Sequence, residues 1–156
     1  MSGQTSTIPT AYDLLYTAID GISWPDRSVG VTSDVQVEIS TEVANLGREV
    51  VLLGQVRGEQ EYTSIGARTR DEDYTIDLWV IIRWPGDTGL EALARAWQVW
   101  AEVESLLSSA PHITLGQASG VLWNELKTPV GTPTNEDAGA GYVIRSGVKV
   151  RSRIRP

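Results

Sequence analysis

The chain has no cysteine and no phenylalanine, one histidine, and one methionine, at its first position. Without cysteine there is no disulfide, thiolate metal site, iron–sulfur cluster or cysteine nucleophile. His112 alone excludes multi-histidine metal sites and leaves any imidazole catalysis to that one residue. Long apolar runs are also missing. The longest, Leu78 to Ile82, is far too short to cross a bilayer as a helix, so no membrane partner is expected. Met1 to Thr10 is polar and uncharged, unlike a signal peptide. Lysine is scarce, with only Lys127 and Lys149 among 13 basic residues.

What is present points to one globular domain over residues 1–156. The 156 residues are 41% apolar and 21% charged, with six tryptophans, which fits a soluble chain with a single core. Acidic residues number 20 against 13 basic, a net of −7, which argues against general nucleic-acid binding. The charge is uneven. Arg145, Lys149, Arg151, Arg153 and Arg155 lie between Tyr142 and Pro156 with no acid among them, leaving −12 on the rest.

Leu14, Leu15, Ala18 and Ile19 share a helical face in a segment that begins at Pro9 or Thr10 and ends at Gly21. Val29 to Ile39 alternates as a half-buried strand, and Glu49 to Gln55 reads as a second strand that pairs with it as a hairpin. Arg57 to Asp73 is polar and charged, and is expected to be a long loop; long loops of this kind are usually functional or disordered. Tyr74 to Trp84 is apolar on both parities and predicts a central strand. Thr88 and Glu91 fit a capping box at the start of a helix of roughly twenty residues, ~30 Å long. Its apolar stripe reads Leu90, Leu93, Ala94, Trp97, Trp100, Ala101 and Leu107, with Arg95 elsewhere, and Pro111 ends it. Ile113–Leu115 and Val121–Leu126 read as short strands, Lys127 to Gly141 as a second long loop, and Tyr142 to Ile154 as the last strand. The sum is an α+β fold, a mostly antiparallel sheet with two helices packed on one face.

Few residues suggest chemistry. Asp87-Thr88-Gly89 matches an aspartic-protease triplet, but that reaction needs two such carboxylates, and a helix start explains Asp87 and Thr88 without catalysis. Asp71-Glu72-Asp73 suits a hard cation, although Arg68 and Arg70 would compete with it, and a solvated loop is the simpler reading. No serine elbow accompanies His112, and Gly139-Ala140-Gly141 precedes a strand, unlike a dinucleotide fingerprint. No cofactor is implied. Trp97 and Trp100 read as core, while Trp79 or Trp123 is a candidate interface anchor. The sharpest non-core feature is the basic strand. Lys149, Arg151 and Arg153 sit at i, i+2 and i+4 and point one way. Such a row is either a solvated, charge-blunted edge or one half of a subunit interface with Arg145, answered by acids of a neighbour; both readings stay open.

The stretch Glu49-Val50-Val51-Leu52-Leu53-Gly54, followed by Gly66-Ala67-Arg68-Thr69-Arg70-Asp71-Glu72-Asp73-Tyr74-Thr75-Ile76, the apolar strand and the long alanine- and leucine-rich helix, resembles the tail terminator proteins of tailed phages. The likeness is to those of siphophages infecting actinobacteria, often labelled minor tail or head-to-tail connector proteins. It extends from about Thr10 to the closing Val-Lys-Val-Arg-Ser-Arg-Ile strand at Ile154. The resemblance implies a mixed sheet backed by helices, in a subunit of a ring, usually of six. That ring caps the finished tail tube in the virion, after assembly in the bacterial cytoplasm, and meets the head connector. DNA would pass through its lumen without specific binding. Carried onto this chain, the 57–73 loop, with Arg68, Arg70, Asp71 and Glu72, and the 127–141 loop would contact the tube or line the ring. Alternatives are another neck component (a β-barrel stopper or a helical adaptor) and a carboxylate-based hydrolase. For the hydrolase, Asp87→Asn should abolish activity; if Asp87 only caps a helix, the change should cost at most ~1 kcal/mol in denaturant unfolding.

Overall fold

The computed structural model describes residues 6–27, 35–39, 48–62, 70–84, 89–109, 121–136 and 139–154. The elements run α1 (Ile8–Asp20), β1 (Val35–Glu38), β2 (Glu49–Tyr62), β3 (Arg70–Trp84), α2 (Gly89–Ser108), β4 (Val121–Leu126), β5 (Val130–Glu136) and β6 (Gly139–Ile154). The strands form one sheet in the order β1-β2-β3-β6-β4, with β5 also on β6. β4 pairs with the second half of β6 and β5 with the first, so the two share one side of that strand. Among the described residues only β1 and β2 pair in parallel, and the class is α+β.

The alternation of β3 organises the core. Tyr74, Ile76, Leu78, Val80 and Ile82 are buried on one face with Tyr142, Ile144, Val148 and Val150 of β6. Ala11, Leu15 and Ile19 of α1, and Ala92, Ala96, Val99, Trp100, Val103 and Leu107 of α2, close the same cluster, so both helices cover one face. Trp97 packs at its margin. None of the helices among the described residues is long and apolar enough to cross a membrane.

Four expectations need correction. First, β1 and β2 are parallel neighbours, not a hairpin. Val37 lies opposite Val51, both in the core beneath the helices, and alternation alone fixes a face but not a direction. Second, most of the 57–73 stretch is strand. β2 continues to Tyr62 and β3 begins at Arg70, pairing from Glu49 to Tyr62 through a bulge at Leu53/Val56. The bulge explains why the strand seemed to end. It switches which parity faces the core, and the carbonyls of Leu53 and Gly54 there accept the Tyr12 hydroxyl of α1 at 2.9 and 3.0 Å. Third, the 127–141 stretch holds β5 and the start of β6, a hairpin in which Gly131 leaves room for Tyr142; a side chain there would collide with its ring.

Fourth, the buried stripe of α2 is rotated. Leu90 is 76% and Leu93 38% exposed, and Ala94 and Ala101 are also exposed, whereas Arg95 is buried. The pattern misled because a charge normally faces water, and this one is answered from the sheet. Arg95 Nε and Nη2 donate to the Glu49 carboxylate at 2.7 and 3.0 Å, and Nη1 donates to the Pro25 carbonyl and Gln98 Oε1 at 2.7 and 2.8 Å. Both partners are almost fully buried. Thr88, Asp87, Pro111, His112, Ile113–Leu115 and the Val29–Asp34 part of the first strand lie outside the described residues.

Removing one member of such a pair strands a buried charge. Arg95→Met should lower unfolding free energy in denaturant by about 3–5 kcal/mol, and adding Glu49→Leu should recover part of that loss.

Candidate interaction face

The face of the sheet away from the helices carries the odd residues of β3 and β6. The antiparallel register sets them in rows: Asp71 opposite Arg153, Asp73 opposite Arg151, Thr75 opposite Lys149 and Trp79 opposite Arg145. Arg153 Nε and Nη2 donate to the two Asp71 carboxylate oxygens at 2.7 and 2.9 Å. Arg151 does the same to Asp73, both at 2.9 Å. Arg57, past the bulge, reaches Asp77 at 3.3 Å. These forked pairs have the favourable geometry for guanidinium and carboxylate. Their exposure limits what each contributes, so they fix register more than they add stability.

Hydrogen bonds from Arg153 hold the Asp71 carboxyl below the ordinary carboxylate range, against the opposing effect of desolvation and with help from the Arg153 and Arg151 charges. Reciprocally, the Asp73 and Asp71 carboxylates raise the pKa of Arg151 and Arg153.

A smaller apolar cluster lies further along this face. Val50, Leu52 and Ile81 are buried, with Trp79 and Val143 packed on them. The Arg145 guanidinium lies 5.0 Å from the centre of the Trp79 ring.

The four basic residues singled out on β6 therefore share one face, as their spacing required, but two of the readings made for them change. β6 is not an edge, since β3 flanks it on one side and β4 and β5 on the other. Arg151 and Arg153 are answered by carboxylates within the chain. The signal was legible: Asp71-x-Asp73 and Arg151-x-Arg153 have matching spacing, and one antiparallel register joins both pairs. The polar composition around Asp71 to Asp73, which reads as loop, hides this match. Lys149 is exposed, with Thr75 and Glu125 as its strand neighbours.

The acidic triplet is split by the strand pleat. Asp71 and Asp73 face outward, and Glu72 faces the helices, so the three carboxylates do not converge on a cation. Glu72 is 1% exposed and accepts the Thr7 backbone N–H and hydroxyl, both at 3.0 Å, and the Ser6 hydroxyl at 3.3 Å. Thr7 Oγ1 also lies 2.7 Å from Ser152 Oγ and 3.1 Å from the Tyr74 hydroxyl. Burial raises the Tyr74 pKa, against the Thr7 hydrogen bond that lowers it. This network seats the first turn of α1, whose Thr7 makes no side-chain cap of its own; Glu72 does that work from β3. Glu72 is thus a core residue, not a loop contact. Arg70 opens β3 opposite Ile154, and Arg68 lies outside the described residues. No group of metal-ligating side chains occurs among the described residues.

Comparison with known protein families and with curated proteins finds no match.

Because the folded pKa of Asp71 is lowered, its stabilising effect is present above the ordinary carboxylate value and fades as pH falls through the lowered one. Arg153→Gln should return the Asp71 titration, followed by carboxyl NMR, upward toward the ordinary range, and should shift the onset of acid unfolding to higher pH.

Proposed function

We propose that the chain is a structural subunit of a phage tail, a tail terminator whose ring caps the tube, ends its polymerisation and meets the head connector. The observation that carries this reading is the architecture, a mixed sheet backed by two helices on one face, which is what the resemblance to tail terminators implies. A 20-residue helix packed against one sheet is a poor match for the β-barrel expected of a stopper or the helical fold expected of an adaptor. The two sides of the sheet also differ in chemistry, helices on one and charged rows with Trp79 on the other, which suits a subunit with two unlike neighbours.

In this reading the contact with the tail tube belongs to residues 63–69, Arg68 among them, while Asp71 and Glu72 maintain the fold. The ring, its six-fold count, its place at the head–tail junction and the passage of DNA through it all belong to the proposal.

Electron micrographs of tails assembled without this chain test it. Overlong or polydisperse tubes are expected; tubes of normal, uniform length would contradict the reading.

A further inference from the structure

The two faces of the molecule differ in charge as well as shape. α1 carries Asp13 and Asp20 and no basic residue. α2 carries Glu91, Glu102 and Glu104, and its one basic residue, Arg95, is buried against Glu49. Between these acids α2 turns Leu90, Leu93, Ala94 and Ala101 outward. Leu90 at 76% and Leu93 at 38% are among the most exposed large apolar side chains of the described residues. Positions 90, 94, 97, 101 and 104 recur at helical spacing, so exposed Glu104 ends the stripe.

The opposite face offers a counterpart. Leu52, Trp79, Arg145 and Val130 form one row across β2, β3, β6 and β5. Val130 is 60% exposed, and Arg145 and Lys149 are both exposed on the same face. Unlike Arg151 and Arg153, Arg145 meets an aromatic ring, not a carboxylate.

We propose that the outer stripe of α2 in one copy docks on the Trp79–Arg145–Val130 patch of a second copy. Leu90 and Leu93 cover Val130 and the edge of Trp79, and Glu91, next to Leu90, faces Arg145. Two acidic helix faces repel each other, whereas an acidic helix face is drawn to Arg145 on the opposite side, so unlike faces meet. Such a contact is head-to-tail, the kind that closes a ring when repeated about an axis. The inference deepens the ring reading by naming its surfaces, and rests on that reading for closure. It also moves the subunit-contact role from Arg151 and Arg153 to Arg145.

The absence of cysteine makes the test clean. Leu90→Cys and Val130→Cys chains, concentrated and oxidised together, should give a mixed disulfide dimer in clear excess over the dimers each forms alone. A single chain bearing both changes should give a ladder of oligomers. Glu91→Arg or Arg145→Glu should each reduce the mixed product, and the two together should restore it. Mixed dimer no more abundant than the like dimers overturns the proposal. The tail-length experiment reads the terminator assignment separately. Overlong tails with no mixed dimer sink this contact alone. A mixed dimer alongside tails of normal length sinks the terminator assignment and leaves the contact standing.

Discussion

Strand β3 has hydrogen-bonded neighbours on both sides, so its side chains have only two directions available, and the rest of the fold follows from how they divide. Even positions supply the apolar floor on which both helices rest. Odd positions supply carboxylates, a tryptophan and an arginine for the other face. A slip of one residue would exchange the two sets, placing Asp71, Asp73 and Asp77 under the helices and Leu78 and Val80 in water. The ion pairs with β6 oppose that slip from outside, and the buried apolar contacts oppose it from within.

Charge has three separate duties in this chain, distinguished by burial. The Glu49–Arg95 pair is enclosed, and joins the start of β2 to the middle of α2 with the Pro25 carbonyl and Gln98 using the remaining donors. Its contribution is specificity of docking, because desolvation offsets much of the attraction. Glu72 is also enclosed, and it accepts the Thr7 backbone N–H and hydroxyl, which seats the start of α1 on the sheet. The Asp71–Arg153 and Asp73–Arg151 pairs are partly exposed and align strands. The opposite signs of the helix layer and the Arg145 patch fall outside all three and leave the molecule with two unlike surfaces.

Periodicity revealed much of this before any coordinates. The alternation of Tyr74 to Trp84 and of Tyr142 to Ile154, the central place of β3, the α+β class and the helices on one face could be read from side-chain type alone. Three things could not. The bulge at Leu53/Val56 breaks period two and made a 14-residue strand look like a short strand and a loop. The burial of Arg95 depends on Glu49, 46 positions away, and no local pattern announces it. The polarity of Arg57 to Asp73 suggested solvent-exposed loop, yet Asp71 and Asp73 face outward from a sheet toward Arg153 and Arg151 of the adjacent strand, and Glu72 is enclosed beneath α1. The spacing of the basic row on β6 leaves open a solvated edge or a subunit contact; neither reading includes the carboxylates of the adjacent strand that meet Arg151 and Arg153.

The central claim is that the Asp71 and Asp73 carboxylates of β3 answer Arg153 and Arg151 of β6 within one chain, so that these arginines organise the sheet. A double-mutant cycle on Asp73 and Arg151, each replaced by alanine, tests it most directly when run on both monomer unfolding and subunit association. The account predicts a measurable coupling in unfolding and none in association. Coupling confined to association, with the two changes strictly additive in unfolding, would contradict it.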